Sequence, residues 1–129
     1  MKIIFKFFSL FFTFLILILN NSEFAYAVSN LDWVLLKENN DGKEWIDMGS
    51  IKETNAGEIT VLTKFLKKPK EPSDKEELSL YVMRIICNDK TYKDTSINGI
   101  PQFGSKWQSS NDDELIEVVI EKSGSERVN

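Results

Sequence analysis

Residues 59–66, Ile-Thr-Val-Leu-Thr-Lys-Phe-Leu, carry the pattern that decides the fold. Ile59, Val61 and Phe65 fall on one face of an extended chain. Lys64 falls on the other face. Alternation with a period of two, together with β-branched residues, is typical of a strand that is buried on one side. The segment is therefore predicted to form a strand.

Further strands follow this segment. Residues 67–77 hold Pro69, Pro72 and eight charged side chains, which favours an exposed loop. Residues 78–87 then read as a second long strand, because large apolar side chains again alternate along it. A tight turn separates this strand from a returning strand over residues 91–97.

A hairpin precedes the central segment. Residues 31–36 and 44–48 are short and apolar, and the turn between them holds Asn-Asn-Asp-Gly at residues 39–42. Consecutive hairpins build an antiparallel sheet. We therefore predict an α+β protein that is mainly β, with a single small antiparallel sheet of about five to six strands.

Residues 112–122 are compatible with two structures. Asn111 followed by Glu114 could be a helix-capping pair, and the apolar residues after it would then line one face of a helix. Residues 118–120 are all β-branched, which favours a strand because such side chains lose rotamer freedom in a helix. We favour the strand and expect little or no C-terminal helix.

The N-terminus has the three parts of a secretory signal peptide. Lys2 and Lys6 supply positive charge, and residues 7–19 are apolar apart from one serine and one threonine. Ala25 and Ala27 then provide the small residues that signal peptidase recognises, so we predict cleavage after the second alanine. The alternative is a retained anchor, although the apolar run is shorter than the roughly 20 residues of a spanning helix.

Cleavage there gives residues 1–27 as the signal peptide and residues 28–129 as one β-rich domain. Removing Lys2, Lys6 and Glu23 from the 16 basic and 20 acidic residues leaves 14 and 19, a net charge of −5. This charge disfavours nonspecific binding to nucleic acid or to anionic lipid. We expect an exported protein, periplasmic, on the cell surface or secreted, with no stable membrane span after cleavage and no nucleic-acid partner.

The chemistry available to the chain is narrow. It contains no histidine and a single cysteine, Cys87. Nucleophile systems that need histidine, zinc sites with histidine ligands and cysteine-rich metal sites are therefore excluded. No glycine-rich phosphate loop is present. We expect no enzyme activity, no cofactor and no metal site.

Two groups of carboxylates are candidates for chemistry. Asp112, Asp113 and Glu114 could hold calcium, but they lack the spacing of a calcium loop, so a solvated acidic turn is favoured. Asp41 with Glu44 or Asp47 could act as an acid–base pair. Asp41 is better explained as a turn residue.

Three tryptophans, Trp33, Trp45 and Trp107, are the other candidates. They could line a groove for a sugar or a peptide. In a small domain such side chains are more often part of the core, and we favour that interpretation.

Five segments together resemble a known family. They are residues 33–36, Trp-Val-Leu-Leu; residues 45–51, Trp-Ile-Asp-Met-Gly-Ser-Ile; the strands over residues 58–66 and 81–87; and residues 120–125, Ile-Glu-Lys-Ser-Gly-Ser. The sequence resembles the bacterial surface-adhesin protein E-like domain. In that family the last segment is similar to a late strand that leads into a turn and a terminal helix.

The resemblance has a consequence for Cys87. Family members commonly carry a second cysteine at the end of the terminal helix, where it can pair with the strand cysteine. The sequence stops at Asn129 without one. The resemblance therefore implies that Cys87 is half of a disulfide whose other half is absent, and that the sheet face under the helix is uncovered. The alternative is a small buried core residue.

The function implied by the resemblance is an exported, noncatalytic envelope or surface binding module. The namesake adhesin binds host extracellular-matrix and plasma proteins, so a protein or peptide ligand is expected. The working surface would be a sheet edge, a sheet face or the loop over residues 67–77. The alternatives are a degenerate structural remnant of the family and a small metal-dependent enzyme.

Overall fold

The computed structural model describes residues 31–126. The predicted signal peptide, with Ala25 and Ala27, lies outside the described residues. Within them, eight strands and one α-helix follow in chain order: β1 Trp33–Glu38, β2 Gly42–Asp47, β3 Lys52–Glu53, β4 Ile59–Lys67, β5 Glu77–Ile86, β6 Thr91–Ile97, β7 Ile100–Pro101, β8 Gln108–Ser109 and α1 Glu114–Ser125.

The centre of the sheet is the long antiparallel pair of β4 and β5. Ile59 lies opposite Ile85, and Val61 lies opposite Met83. All four side chains are buried, so the alternating apolar pattern points into the core as predicted. The strand predictions over residues 59–66 and 78–87 are confirmed, and an exposed loop joins the two strands.

All strands belong to one antiparallel sheet, whose order is β1-β2-β4-β5-β6-β7. Strand β2 pairs with the second half of β4, and β3 pairs with the first two residues of β4 on the same edge. Strand β8 pairs with the first two residues of β6. The prediction of five to six strands was too low, because the described chain has eight. Three of these are two residues long, too short to carry an alternating pattern in the sequence.

Turn residues set the hairpins as their types predict. The Asn39 side-chain oxygen accepts hydrogen bonds from the backbone N–H groups of Asp41 and Gly42, at 2.9 and 3.1 Å. Asn98 and Gly99 both have positive φ, 49° and 80°, between β6 and β7. Positive φ at both central residues is the geometry of a two-residue hairpin turn and is tolerated best by asparagine and glycine.

The prediction of a strand over residues 112–122, with little or no C-terminal helix, is wrong. Residues 114–125 form a helix of 12 residues. The Asp113 carboxylate caps it by accepting hydrogen bonds from the N–H groups of Leu115 and Ile116, at 3.0 and 3.2 Å. An acidic cap also interacts favourably with the positive end of the helix dipole.

Helical spacing explains why α1 outcompetes a strand. Leu115 and Val119, and likewise Ile116 and Ile120, are four residues apart, and all four side chains are buried. In a strand, Val118 would instead share a buried face with Ile116 and Ile120, but Val118 is only half-buried. The cost of a β-branched residue in a helix is a few tenths of a kcal/mol, whereas burying one such side chain contributes about 1.5–3 kcal/mol.

The core lies between one face of the sheet and α1. Its members are apolar side chains of β2, β4, β5 and the helix: Ile46, Ile59, Val61, Met83, Ile85, Ile116, Val119 and Ile120. The helix therefore covers this face, and the expectation of an uncovered face beneath a missing helix is wrong. Residues 120–125, matched above to a late strand, are the second half of the covering helix.

Cys87 lies directly after β5, half-buried against the core and the last turns of α1. Its Sγ is 4.0 Å from the carbonyl oxygen of Ile120. A Cβ atom built at Gly124 would lie 3.8 Å from the Cβ of Cys87. This separation matches the mean of about 3.8 Å in disulfides, so position 124 is where the geometry would accept a bridging cysteine.

We predict that Gly124→Cys forms a disulfide with Cys87 when the purified protein is kept under oxidising conditions. Closing the loop between these residues should raise the free energy of unfolding by roughly 3–4 kcal/mol, measured by urea denaturation with and without reductant. Gly124→Ala is the control, because it adds the Cβ and helix propensity without the bridge. Absence of the disulfide in the folded variant would contradict the placement of α1.

Candidate functional site

A cavity of about 700 Å³ opens where the β1–β2 turn, the core face of the sheet and the start of α1 meet. Its wall combines carboxylates, amides, aromatic rings and aliphatic side chains: Asn39, Asn40, Asp41, Glu44, Phe65, Tyr81, Met83, Tyr92, Asp94, Asp112, Asp113, Glu114, Leu115 and Ile116. We call it the acidic cavity, because six of these residues are aspartate or glutamate and none is lysine or arginine.

Glu44 is the most unusual of these carboxylates. It sits on β2 with its side chain on the core face, and only 2% of its surface is exposed. Its Oε1 has no hydrogen-bond partner among the described residues. Burial raises the pKa of Glu44 to about 8, against the opposing effect of the Thr63 hydroxyl, while the charges of Asp113 and Asp94 raise it further.

Asp94 is a second, half-buried carboxyl group of the cavity, with a raised pKa and an oxygen that lacks a partner among the described residues. It lies on β6 opposite Met83, and burial raises the pKa of its carboxyl above the usual value. Its Oδ1 also has no hydrogen-bond partner among the described residues. Beside it, burial and then the charges of Asp113 and Asp94 raise the pKa of Tyr92. The deep part of the cavity therefore holds two carboxyl groups, each with a buried oxygen that no described group hydrogen-bonds.

The acidic cluster at residues 112–114 forms the rim. Asp113 is used as the helix cap, and Glu114 forms a salt bridge of 2.8 Å with Lys37 of β1. Lys37 also holds the pKa of Glu114 below its usual value. All three acidic residues are exposed, as expected for a solvated turn. Among residues 31–126, no group of three or more potential ligands is arranged to hold a metal ion.

Of the candidate acid–base group Asp41, Glu44 and Asp47, the fold brings only the first two together. Asp41 and Glu44 both line the acidic cavity, and Asp41 lies in the hairpin turn as predicted. Asp47 is used elsewhere: its Oδ1 accepts hydrogen bonds from the backbone N–H groups of Asp32 and Gly49, at 2.7 and 3.2 Å. It fixes the chain around the short 3-10 turn Met48–Ser50. Asp47 is therefore a structural residue.

The expectation that the tryptophans belong to the core is wrong. Ile46 takes the core side of β2, so the adjacent Trp45 points to the other side of the sheet. Trp33 joins it there, and the Lys64 ammonium lies between the two rings, 4.4 Å from the centre of Trp33 and 5.0 Å from Trp45. Lys93 and Trp107 repeat the arrangement at 4.8 Å.

Leucines extend this surface, which we call the aromatic face: the side of the sheet away from α1. Leu35, Trp45, Lys64 and Leu80 lie side by side across β1, β2, β4 and β5. Leu35 is 49% exposed, Leu78 55% and Leu80 39%. No described helix packs on this side of the sheet, so these leucines are exposed, whereas Lys64 and Lys93 are half-buried against the tryptophans.

Sequence reasoning missed part of both surfaces. Asp94 and Tyr92 were not singled out, although alternation along β6 places a charged residue on the inward face, which is a usable signal. The lysines of the aromatic face were also missed. Their position opposite a tryptophan depends on strand register, which the local pattern does not specify.

The described residues define a small α+β domain in which one open antiparallel sheet carries a helix on one face. The chain belongs to the surface adhesin-E family, whose sequence profile matches residues 34–129. This confirms the resemblance seen in the sequence and supports an adhesin-like surface protein. Searches of curated proteins and of solved structures found no significant match. No helix within residues 31–126 is long and apolar enough to cross a membrane.

We predict that Glu44→Gln makes the protein more stable at pH 8. Wild-type Glu44 has a folded pKa of about 8 against an ordinary value of 4.5. Between these values the unfolded chain loses a proton that the folded chain keeps, so the free energy of unfolding falls as pH rises and levels off above pH 8. Glutamine cannot ionise, so the variant should be more stable than wild type by roughly 2–5 kcal/mol at pH 8.

The measurement is urea denaturation at pH 5, 6.5 and 8. Glu121→Gln, which removes a charge at an exposed position of α1, serves as the control and should keep the pH slope of the wild type. An equal slope in Glu44→Gln and wild type would show that Glu44 is ionised in the folded protein.

Proposed function

We propose that this protein is an exported, noncatalytic binding module of the cell envelope or surface, and that it binds a polypeptide through the aromatic face. The observation that carries the proposal is the Lys64 ammonium held between Trp33 and Trp45 on the uncovered side of the sheet. Membership of a surface adhesin family supports a binding role and an exported location.

The apolar content of the aromatic face supports a protein partner. Exposed leucines surround the Trp33–Lys64–Trp45 cluster, and tryptophan is enriched at the centres of protein interfaces. A contiguous apolar patch with polar neighbours is a typical interaction surface on a soluble domain. Binding would remove this apolar surface from water, which is the main favourable term in association.

The charge of the aromatic face specifies the partner's chemistry. The whole chain carries a net charge of −4, yet neither Lys64 nor Lys93 forms a salt bridge with a described carboxylate. Each lysine instead lies over a tryptophan ring. The complementary surface is a polypeptide segment that presents aspartate or glutamate next to apolar side chains.

A buried core beneath a capped helix supports a working module over a degenerate remnant. The acidic cavity is the feature that favours the remaining alternative, an enzyme that uses carboxylates, because perturbed pKa values in a cleft are frequent at active sites. Against this, no described group is arranged to hold a metal ion.

The proposal is tested by placing a photo-crosslinking residue at Leu80 on the aromatic face, or at Glu121 on the exposed side of α1, in the exported protein. We expect irradiation of intact cells or host matrix to give an adduct with one polypeptide from Leu80 and none from Glu121. That polypeptide is identified by mass spectrometry, purified and titrated. Its affinity should fall at least tenfold for Lys64→Glu and stay within about threefold for Lys64→Arg, because only the former reverses the charge.

Three results would overturn the proposal. An adduct of twice the chain's mass would show that a second copy covers the aromatic face. Equal binding by wild type and Lys64→Glu would remove the assigned role of the lysine. No adduct from Leu80, with the protein folded by circular dichroism, would show that this face has no polypeptide partner under the conditions used.

A further inference from the structure

We propose that the acidic cavity is a binding site for an organic cation, a guanidinium or primary ammonium group carried on an apolar stem. The cavity lies on the side of the sheet that faces α1, whereas the aromatic face lies on the other side. The inference therefore does not depend on the proposed function, and either can fail alone.

The electrostatics of the cavity favour a cation. Six of its lining residues carry carboxyl groups, and within residues 31–126 Glu114 alone among them forms a salt bridge, with Lys37 on the rim. The Asp113 carboxylate is occupied by two N–H groups of the helix start, which also leaves fewer donors there for an anion. A bound cation would offset the mutual repulsion of the remaining carboxylates.

The buried end of the cavity holds two carboxyl oxygens that have no hydrogen-bond partner among the described residues. Glu44 is 2% exposed, lines the cavity and has an Oε1 atom with no partner among the described residues. Asp94 contributes a second such atom, Oδ1. A buried acceptor without a donor costs about 1–3 kcal/mol, and a ligand with several N–H groups would supply what is missing.

The apolar lining selects an organic cation over a bare metal ion. Phe65, Tyr81 and Tyr92 offer aromatic rings, and Met83 and Leu115 offer aliphatic surface. Aromatic faces attract guanidinium and ammonium groups, and the aliphatic part can pack against a stem. The absence of a ligating group of three among residues 31–126 fits the same conclusion.

Binding should be coupled to release of a proton from Glu44. Glu44 shares the cavity and its wall with polar, charged and aromatic groups from every neighbouring element. From the sheet these are Thr63, Phe65, Tyr81, Tyr92 and Asp94, and from the hairpin and the region where α1 begins they are Asp41, Asp112, Asp113 and Glu114. Lys37 lies on the rim, where it forms a salt bridge with Glu114. Near pH 7 the carboxyl of Glu44 keeps its proton because of its raised pKa. A cation stabilises the ionised form, so affinity should rise about tenfold per pH unit between about pH 6 and 8.

Isothermal titration of the exported protein with butylguanidinium, and with the neutral isostere butylurea, tests the inference. We expect butylguanidinium to bind and butylurea to bind at least tenfold more weakly. About one proton should be released at pH 7, measured by comparing buffers of different ionisation enthalpy. Glu44→Gln should lower the affinity for butylguanidinium at least tenfold at pH 8 and remove the pH dependence of that affinity. The control Glu121→Gln should leave the affinity and its pH dependence unchanged.

A second arm identifies the source of the cation. Agmatine represents a small soluble cation, and the peptide Gly-Arg-Gly represents an arginine side chain of a polypeptide. Tighter binding of either supports that source within the same site. Absence of butylguanidinium binding, equal binding of butylurea, or competition by millimolar calcium at the same carboxylates would each overturn the inference. Asp94→Asn is the second variant and should reproduce the weakening if Glu44→Gln fails to fold.

Discussion

The structure depends on the packing of α1 against one face of the sheet. The buried side chains of the sheet, such as Val61 and Ile85, face helix residues such as Val119 and Ile120. A sheet with one apolar face needs a second layer, because that face alone would leave too much apolar surface in water. The 12-residue helix supplies the layer, and its position follows from the Asp113 cap and the four-residue spacing of its apolar side chains.

One helix on one sheet gives the two sides opposite chemistry. Where α1 begins, between the β1–β2 turn and the sheet, the carboxylates of Glu44, Asp94 and the cap line a common cavity. On the other side, Lys64 and Lys93 lie against tryptophans and no described helix packs on that side. The side of the sheet under the helix is thus acidic at its open end, and the far side is aromatic and locally basic.

The sequence predicts those parts of the fold that local patterns determine. Period-two alternation located the long strands, and Asn, Asp and Gly located their turns, because each depends on neighbouring residues only. The helix was missed because the β-branched residues 118–120 have a local preference that burial against the sheet overrides. The cavity was missed for a related reason: three successive strand pairings, β2 with β4, β4 with β5 and β5 with β6, place Glu44 and Asp94 on one face, which no local spacing records.

Native-state hydrogen exchange tests most directly whether α1 is an integral layer of the fold. The amides of Val119 and Ile120 would be compared with those of Val61 and Met83 in the central strands. Our account predicts that all four exchange only through global unfolding, with the same free energy and the same dependence on denaturant. Exchange of the helix amides through a separate opening of much lower free energy would contradict it, because the sheet would then be stable without its cover.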